Sequence, residues 1–275
     1  MARIGLGRGP EHVTRGVTLD PREIAHARTL LEGARSILVL TGAGISAESG
    51  VPTFRGDGGL WRTHKPEDLA TPEAFRRDPR LVWEWYGWRR ELITRCRPNP
   101  GHRALASWAL ANSVVTLVTQ NVDGLHDAAA RDVADGRKPE RAFPIELHGS
   151  LFRVRCTLCE YRAPDRAVVD ASGPTTLPHC PQCGALLRPD VVWFGESLDT
   201  VLLDRAFRAA EAAEVCLGVG TSALVHPAAS LPLATLRSGG KLVEVNPDPT
   251  VLTTLATVSL RANSGETMHR LLPGY

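Results

Sequence analysis

The chain has 275 residues, 43% hydrophobic and 23% charged, which is enough to bury one substantial core and too apolar for disorder. Its 32 basic and 30 acidic residues leave a net charge of +2, so no basic field calls for nucleic acid. No apolar run reaches the roughly 18 residues of a membrane span, and the opening M-A-R-I-G-L-G-R-G-P lacks the apolar centre of a secretory signal, so a soluble, cytoplasmic α/β protein is expected.

Residues 1–18 are rich in Gly and Arg without apolar period and read as a loose tail. A helix is expected from Asp20-Pro21, where a capping side chain precedes a proline suited to the first helical turn. Ile24, Ala27, Arg28 and Leu31 fall on one side of it. The apolar run Ser36–Thr41 then stops at glycine, and similar runs recur at Val114–Thr119, Val215–Val219 and Leu242–Val245. Continuous apolar runs suit strands covered on both faces. Helical stretches at His102–Leu110, Leu198–Ala213 and Pro227–Arg237 lie between them. Repeated βαβ units predict a Rossmann-like, doubly wound parallel sheet with its ligand crevice beyond the carboxyl ends of the strands. Two segments interrupt the rhythm: an aromatic-rich, helical insert at about 55–101 and a cysteine-bearing module at about 151–193, both within one domain over 19–274.

Gly42-Ala43-Gly44-Ile45-Ser46-Ala47 fits G-x-G-x-x-A after a strand. Such a turn can let backbone amides face a pyrophosphate, but a ligand-free strand-to-helix turn uses the same residues. No acidic residue stands at a second strand end about 20 positions on, which disfavours hydride-transfer dehydrogenases. Asn246 and Ser222, at later strand ends, are the candidate ribose partners.

The pairs Cys156/Cys159 and Cys180/Cys183 each have two residues between them. Two such turns can close a tetrahedral shell of four thiolates around zinc, which leaves no open position and makes the metal structural. A redox-active C-x-x-C pair is the alternative. Cys96 and Cys216 read as small core residues, and His179 as an exposed turn residue.

Taken in order, these segments resemble the sirtuins, NAD-dependent protein lysine deacylases. The likeness runs over about residues 19–274, through G-A-G-I-S at 42–46, G-V-P-T-F-R-G at 50–56, T-Q-N-V-D-G-L-H at 119–126 and H-G-S at 148–150. It continues through the four cysteines, V-V-W-F-G-E at 191–196, G-T-S at 220–222 and N-P-D at 246–248. The resemblance implies NAD as co-substrate and one structural zinc ion. It also implies that the acyl oxygen of an acyl-lysine attacks the nicotinamide ribose, releasing nicotinamide and ending in free lysine and O-acyl-ADP-ribose.

By the same resemblance Gly42, Ala43, Gly44, Ser46, Phe54, Arg55 and Trp61 grip the cofactor, with Phe54 shielding the reactive face from water. Gln120, Asn121, Asp123, Gly220, Thr221, Ser222, Asn246, Pro247 and Asp248 complete its site. Asn121 and His148 are the implied catalytic pair, His148 as general base, a task that suits an imidazole. Read without the family, a histidine after Ile145-Glu146-Leu147 is a packed strand-end residue. Val192, Phe194, Gly195 and Glu196 resemble the strand that pairs with an extended substrate peptide. Acylated proteins are the expected partners of a monomer, with no membrane or nucleic acid.

Tyr86 and Arg89, three residues apart, share one helix face in W-E-W-Y-G-W-R-R. This Y-x-x-R resembles the pair that marks class III sirtuins, which remove succinyl and malonyl groups. A guanidinium fork with a phenol beside it suits the terminal carboxylate of such chains. The bland alternative pairs Arg89 with a surface acid and packs Tyr86 among the tryptophans. Pro66 departs from the small alanine usual at that place, and deacetylation can accompany desuccinylation. Other readings are a predominant deacetylase, a mono-ADP-ribosyltransferase or a non-catalytic binder of NAD or acyl-lysine.

Overall fold

The computed structural model describes residues 19–52 and 69–272. Strand β1 (Ile37–Thr41) is buried throughout. It pairs in parallel with β2 (Val115–Thr119) on one side and β7 (Val215–Val219) on the other. Beyond β2 lies β3 (Ile145–Glu146), and beyond β7 lie β8 (Lys241–Val245) and β9 (Val258–Leu260), all parallel. The resulting order, β3-β2-β1-β7-β8-β9, reverses direction between β1 and β7. That reversal opens a crevice where ligands of such sheets collect.

The alternation along β1 feeds two cores. Ile37 and Val39 pack with helices α1 (Pro21–Gly33), α5 (Pro100–Ala111) and α9 (Ser264–Leu271), through Ile24, Ala27, Leu31, Leu105, Trp108 and Met268. Leu38 and Leu40 face α7 (Thr200–Ala212) and α8 (Leu231–Arg237), through Ala206, Ala210, Leu231 and Ala234. Covering both faces is what a continuous apolar strand requires. Asp20 caps α1, its carboxylate accepting from the Arg22 amide at 2.8 Å. The stretch expected as one helix over Pro227–Arg237 is instead a 3-10 turn at Ala228–Ser230 followed by α8. Strand β9, three residues long, is too short to show a period in sequence.

A second, antiparallel sheet is built from β4 (Gly149–Cys156), β5 (Arg162–Pro164) and β6 (Leu187–Val191), in the order β5-β4-β6. Helices α3 (Pro72–Arg77) and α4 (Pro79–Thr94) pack against it through Phe75, Val82, Trp83 and Tyr86. Trp83 donates its indole N–H to the Leu187 carbonyl at 3.0 Å. Arg90 donates to the Leu151 carbonyl at 2.7 Å and to the Asp165 carboxylate at 2.8 Å. The remaining short helices are α2 (Gly44–Ala47) and α6 (Leu125–Asp132). No helix among the described residues is long and apolar enough to cross a membrane.

Candidate functional site

The turns after β1 and β7 cross backbone to backbone. A Cβ on Gly220 would lie 2.4 Å from the Ile45 nitrogen, and one on Gly44 would lie 2.7 Å from the Gly220 Cα. Gly220 also has φ +59°, a left-handed conformation that side chains disfavour. Gly42 is equally tight, its Cβ position 2.8 Å from the Gly220 oxygen. The glycine pattern is therefore required by the crossing itself, at the switch point of the sheet.

Around that crossing the strand ends supply a polar network. Asn121, beyond β2, donates its amide N–H to the Gly42 carbonyl at 3.0 Å and to the Ser46 hydroxyl at 3.2 Å. Ser46 donates to the Asp123 carboxylate at 2.7 Å, and the Leu125 amide donates to its other oxygen at 2.9 Å. Burial raises the Asp123 pKa, while the Leu125 and Ser46 bonds and Arg89 favour the anion. Gln120 donates to the Thr221 hydroxyl at 2.8 Å, tying the end of β2 to the end of β7.

Two histidines complete the floor. His126 pairs with the Thr41 hydroxyl at 2.9 Å, and Thr41 in turn donates to Thr119 at 2.8 Å. His102 lies 3.3 Å from the Ser46 hydroxyl, and since Ser46 spends its hydrogen on Asp123, the imidazole is the donor. The two rings meet edge to face with centroids 4.9 Å apart. Burial lowers both pKa values, that of His126 to about 4. Sequence reading missed the roles of Thr41, His102 and His126 here. Only the position of His126 within T-Q-N-V-D-G-L-H hinted at one.

His148 sits on the turn between the two sheets, half-buried. Its Nδ1 lies 2.9 Å from the Gln120 carbonyl. A carbonyl only accepts, so Nδ1 carries the hydrogen and Nε2 keeps a bare lone pair. Burial holds the imidazole below its ordinary pKa despite that bond. Gly149 follows with φ +79°, and a Cβ there would fall 2.1 Å from the Asp190 oxygen. The His148 carbonyl accepts from the Val192 amide at 3.0 Å, so the same residue fixes the start of the 192–196 segment.

That segment is not a strand. β6 ends at Val191, and the Phe194 amide donates to the Ala70 carbonyl at 2.9 Å. Gly195, with φ +84°, makes the turn. The Glu196 carboxylate accepts from Arg188 at 2.5 and 2.8 Å and from the Trp193 amide at 2.8 Å. The Glu196 amide donates to the Trp193 carbonyl at 3.0 Å, which closes the turn and takes the chain out of strand geometry. Phe194 is exposed and Val192 half-buried.

On α4, Tyr86 and Arg89 are buried, at 1% and 5% exposure. Arg89 is thus a buried cation and not a surface one. Its guanidinium lies 4.8 Å from the Trp85 ring centre and 5.8 Å from that of Tyr86. Burial raises the Tyr86 pKa and lowers that of Arg89, with Asp123 among the charges that offset the latter. Val51, Pro52, Leu92 and Ile93 line a small cavity beside Arg89. Ser222, Pro247 and Asp248 are exposed at the rim, and Asn246 donates to the Asp248 carbonyl at 2.9 Å. Phe54, Arg55, Trp61 and Pro66 lie outside the described residues.

The four paired cysteines converge, with all sulfurs within 4.8 Å of one another. Cys156 and Cys183 sulfurs are 3.4 Å apart, and those of Cys159 and Cys180 are 3.6 Å apart. Zinc–sulfur bonds of about 2.3 Å in a tetrahedron put neighbouring sulfurs about 3.8 Å apart. The Cys156 sulfur accepts from the amides of Leu158 and Cys159 at 3.3 and 3.4 Å, and the Cys180 sulfur from Gln182 at 3.4 Å. Amides aimed at sulfur favour thiolates, so this donor set fits a structural zinc ion. Cys216 is buried in the core, and Cys96 is half-buried.

Residues 42–227 match the Sir2 family. The chain is 49% identical to an NAD-dependent protein deacylase of Thermococcus kodakarensis, over 90% of this chain and 94% of that one. It is 48% identical to NAD-dependent protein deacylase 1 of Archaeoglobus fulgidus, over 89% and 94%. Among solved structures it is similar to a Sir2 homologue–NAD complex, at TM-score 0.80 and 46% identity over 90% and 91% of the two chains. It is also similar to a Sir2–p53 peptide–NAD+ complex, at TM-score 0.74 and 33% identity over 88% and 94%. The crossed glycine turns, the imidazole beside them and the cysteine quartet thus stand in a chain that belongs to the Sir2 family, the sirtuins.

Proposed function

We propose that the protein is an NAD-dependent protein lysine deacylase that favours acyl groups ending in a carboxylate, succinyl and malonyl above all, with deacetylation as a lesser activity. Its partners are then proteins acylated on lysine. Relatives named NAD-dependent protein deacylase, and solved relatives holding NAD or a peptide, support the reaction class.

The observation that carries the acyl preference is the burial of a phenol and a guanidinium together on one helix face at Tyr86 and Arg89. A planar guanidinium fork beside a phenol suits an acyl carboxylate, which can accept charge-assisted hydrogen bonds from both, whereas an acetyl methyl can accept none.

NAD, when bound, supplies the activated ribose that accepts the acyl oxygen. The chain's residues do the rest. The polar strand ends at Gly42–Ser46, Gln120–Asp123 and Gly220–Thr221 hold the dinucleotide, with Asn246 at the rim. Asn121 is pre-aimed by Gly42 and Ser46, and Asp123 serves as acceptor for the nicotinamide amide. The bare Nε2 of His148, available because burial keeps the imidazole neutral, takes a proton from a ribose hydroxyl. Val192–Glu196 frames the mouth through which acyl-lysine enters.

The test is a panel of succinyl-, malonyl- and acetyl-lysine peptides assayed for nicotinamide and free lysine with and without NAD. Succinyl peptide should turn over fastest, and Arg89→Met should depress succinyl turnover while sparing acetyl. Equal losses on both remove the carboxylate role. Tight acyl-peptide binding without nicotinamide release refutes the enzyme.

A further inference from the structure

Trp193 stands in V-V-W-F-G-E, yet its side chain turns inward, at 3% exposure. Its indole N–H donates to the Tyr86 phenol oxygen at 2.8 Å. The ring cannot swing away. The Arg188 guanidinium stacks 3.3 Å from its centre, and Phe75 packs against it with ring centroids 5.4 Å apart. Glu196 holds both Arg188, by two bonds, and the Trp193 amide. Arg188 is itself buried, at 5% exposure, and donates to the Val191 carbonyl at 2.8 Å.

A phenol oxygen that accepts from an indole keeps its own hydrogen to donate. That hydrogen meets no acceptor among the described residues. With its oxygen held on the Trp193 side, Tyr86 is oriented as a donor before any ligand arrives. Pre-orientation matters because a buried donor free to turn loses part of its binding gain in being fixed.

We propose that Trp193 is a positioning residue for acyl-chain selection, holding Tyr86 as a hydrogen-bond donor toward an acidic acyl terminus, with Arg188 and Glu196 as the clamp that holds Trp193. This rests on the acid-pocket reading of Tyr86 and Arg89. Trp193 itself need not touch the substrate. The clamp also assigns a task to Glu196, whose carboxylate is occupied within the chain.

The experiment compares kcat/KM for succinyl- and acetyl-lysine peptides with NAD in wild type, Trp193→Phe, Tyr86→Phe, the double variant and Arg89→Met. Phenylalanine keeps an aromatic ring in place and removes the N–H. Trp193→Phe should lower the succinyl-to-acetyl ratio about five- to tenfold, chiefly through KM for the succinyl peptide. The double variant should fall no further than Tyr86→Phe alone, because both remove one interaction. If the ratio holds in Trp193→Phe while Arg89→Met lowers it, the acid pocket stands and the positioning role is overturned. Equal losses on both peptides would mark Trp193 as merely structural and overturn it too. If Arg89→Met also leaves the ratio intact, the acid-pocket reading fails and takes this proposal with it. Should Trp193→Phe not fold, Glu196→Gln, which weakens the clamp, must lower the ratio in the same direction. An unchanged ratio there overturns the proposal.

Discussion

His148 gives its Nδ1 hydrogen to the backbone carbonyl of Gln120 at 2.9 Å, and Gln120 immediately precedes Asn121. The imidazole that would take the ribose proton and the amide that would orient the ribose are thus set by the same stretch of chain. His148→Tyr should lower kcat by about a hundredfold or more without loss of fold. The acid limb of kcat/KM should lie below pH 6.5, since burial depresses this pKa and the neutral ring is the active form. A pH–rate profile checks both; an acid limb above 6.5 would contradict the assignment.

The crossing of the two turns leaves no room for a methyl group at Gly220. Gly220→Ala should cost on the order of 3 kcal/mol or more, from overpacking and a disfavoured left-handed backbone. Urea unfolding of the variant measures it, and a midpoint within error of wild type would mean that the crossing relaxes.

His126 makes stability depend on pH. Its folded pKa of about 4 lies below the ordinary 6.5, so the unfolded chain binds the extra proton first. The stabilisation is full above 6.5 and is lost as pH falls from 6.5 to about 4. The loss is on the order of 3 kcal/mol. Thermal melts across that range should show it, and His126→Gln should flatten the slope.

Cys156→Ser should abolish zinc retention, measured as metal per chain. The β4–β6 sheet should then loosen, because metal ligation can supply on the order of 10 kcal/mol to a small module. Since β6 leads into Trp193 and the segment proposed to frame the substrate mouth, a chelator should lower the melting temperature and deacylation together. Activity that survives complete zinc loss would refute the link.

Several features were written locally. The four long apolar strands, the Asp20 cap and the cysteine pairs each depend on residues adjacent in sequence, and each is found where the sequence reading puts it. Burial on both faces of a parallel strand and metal ligation from a tight turn leave such short-range marks. Other features exist only once distant segments meet. Whether Arg89 is a surface cation or a buried one depends on where α4 packs, with Val51 and Pro52 from a distant part of the chain lining the cavity beside it. The reason for three glycines at 42, 44 and 220 is a backbone crossing after two strands whose paired residues lie 178 positions apart in the chain. The tautomer of His148 is set by a carbonyl 28 residues away. Local pattern reports each residue's propensity and spacing. Which polar atoms face one another, and which charges leave water, is decided by the packing of the two sheets, because hydrogen bonds and desolvation act at contact distance whatever the separation along the chain.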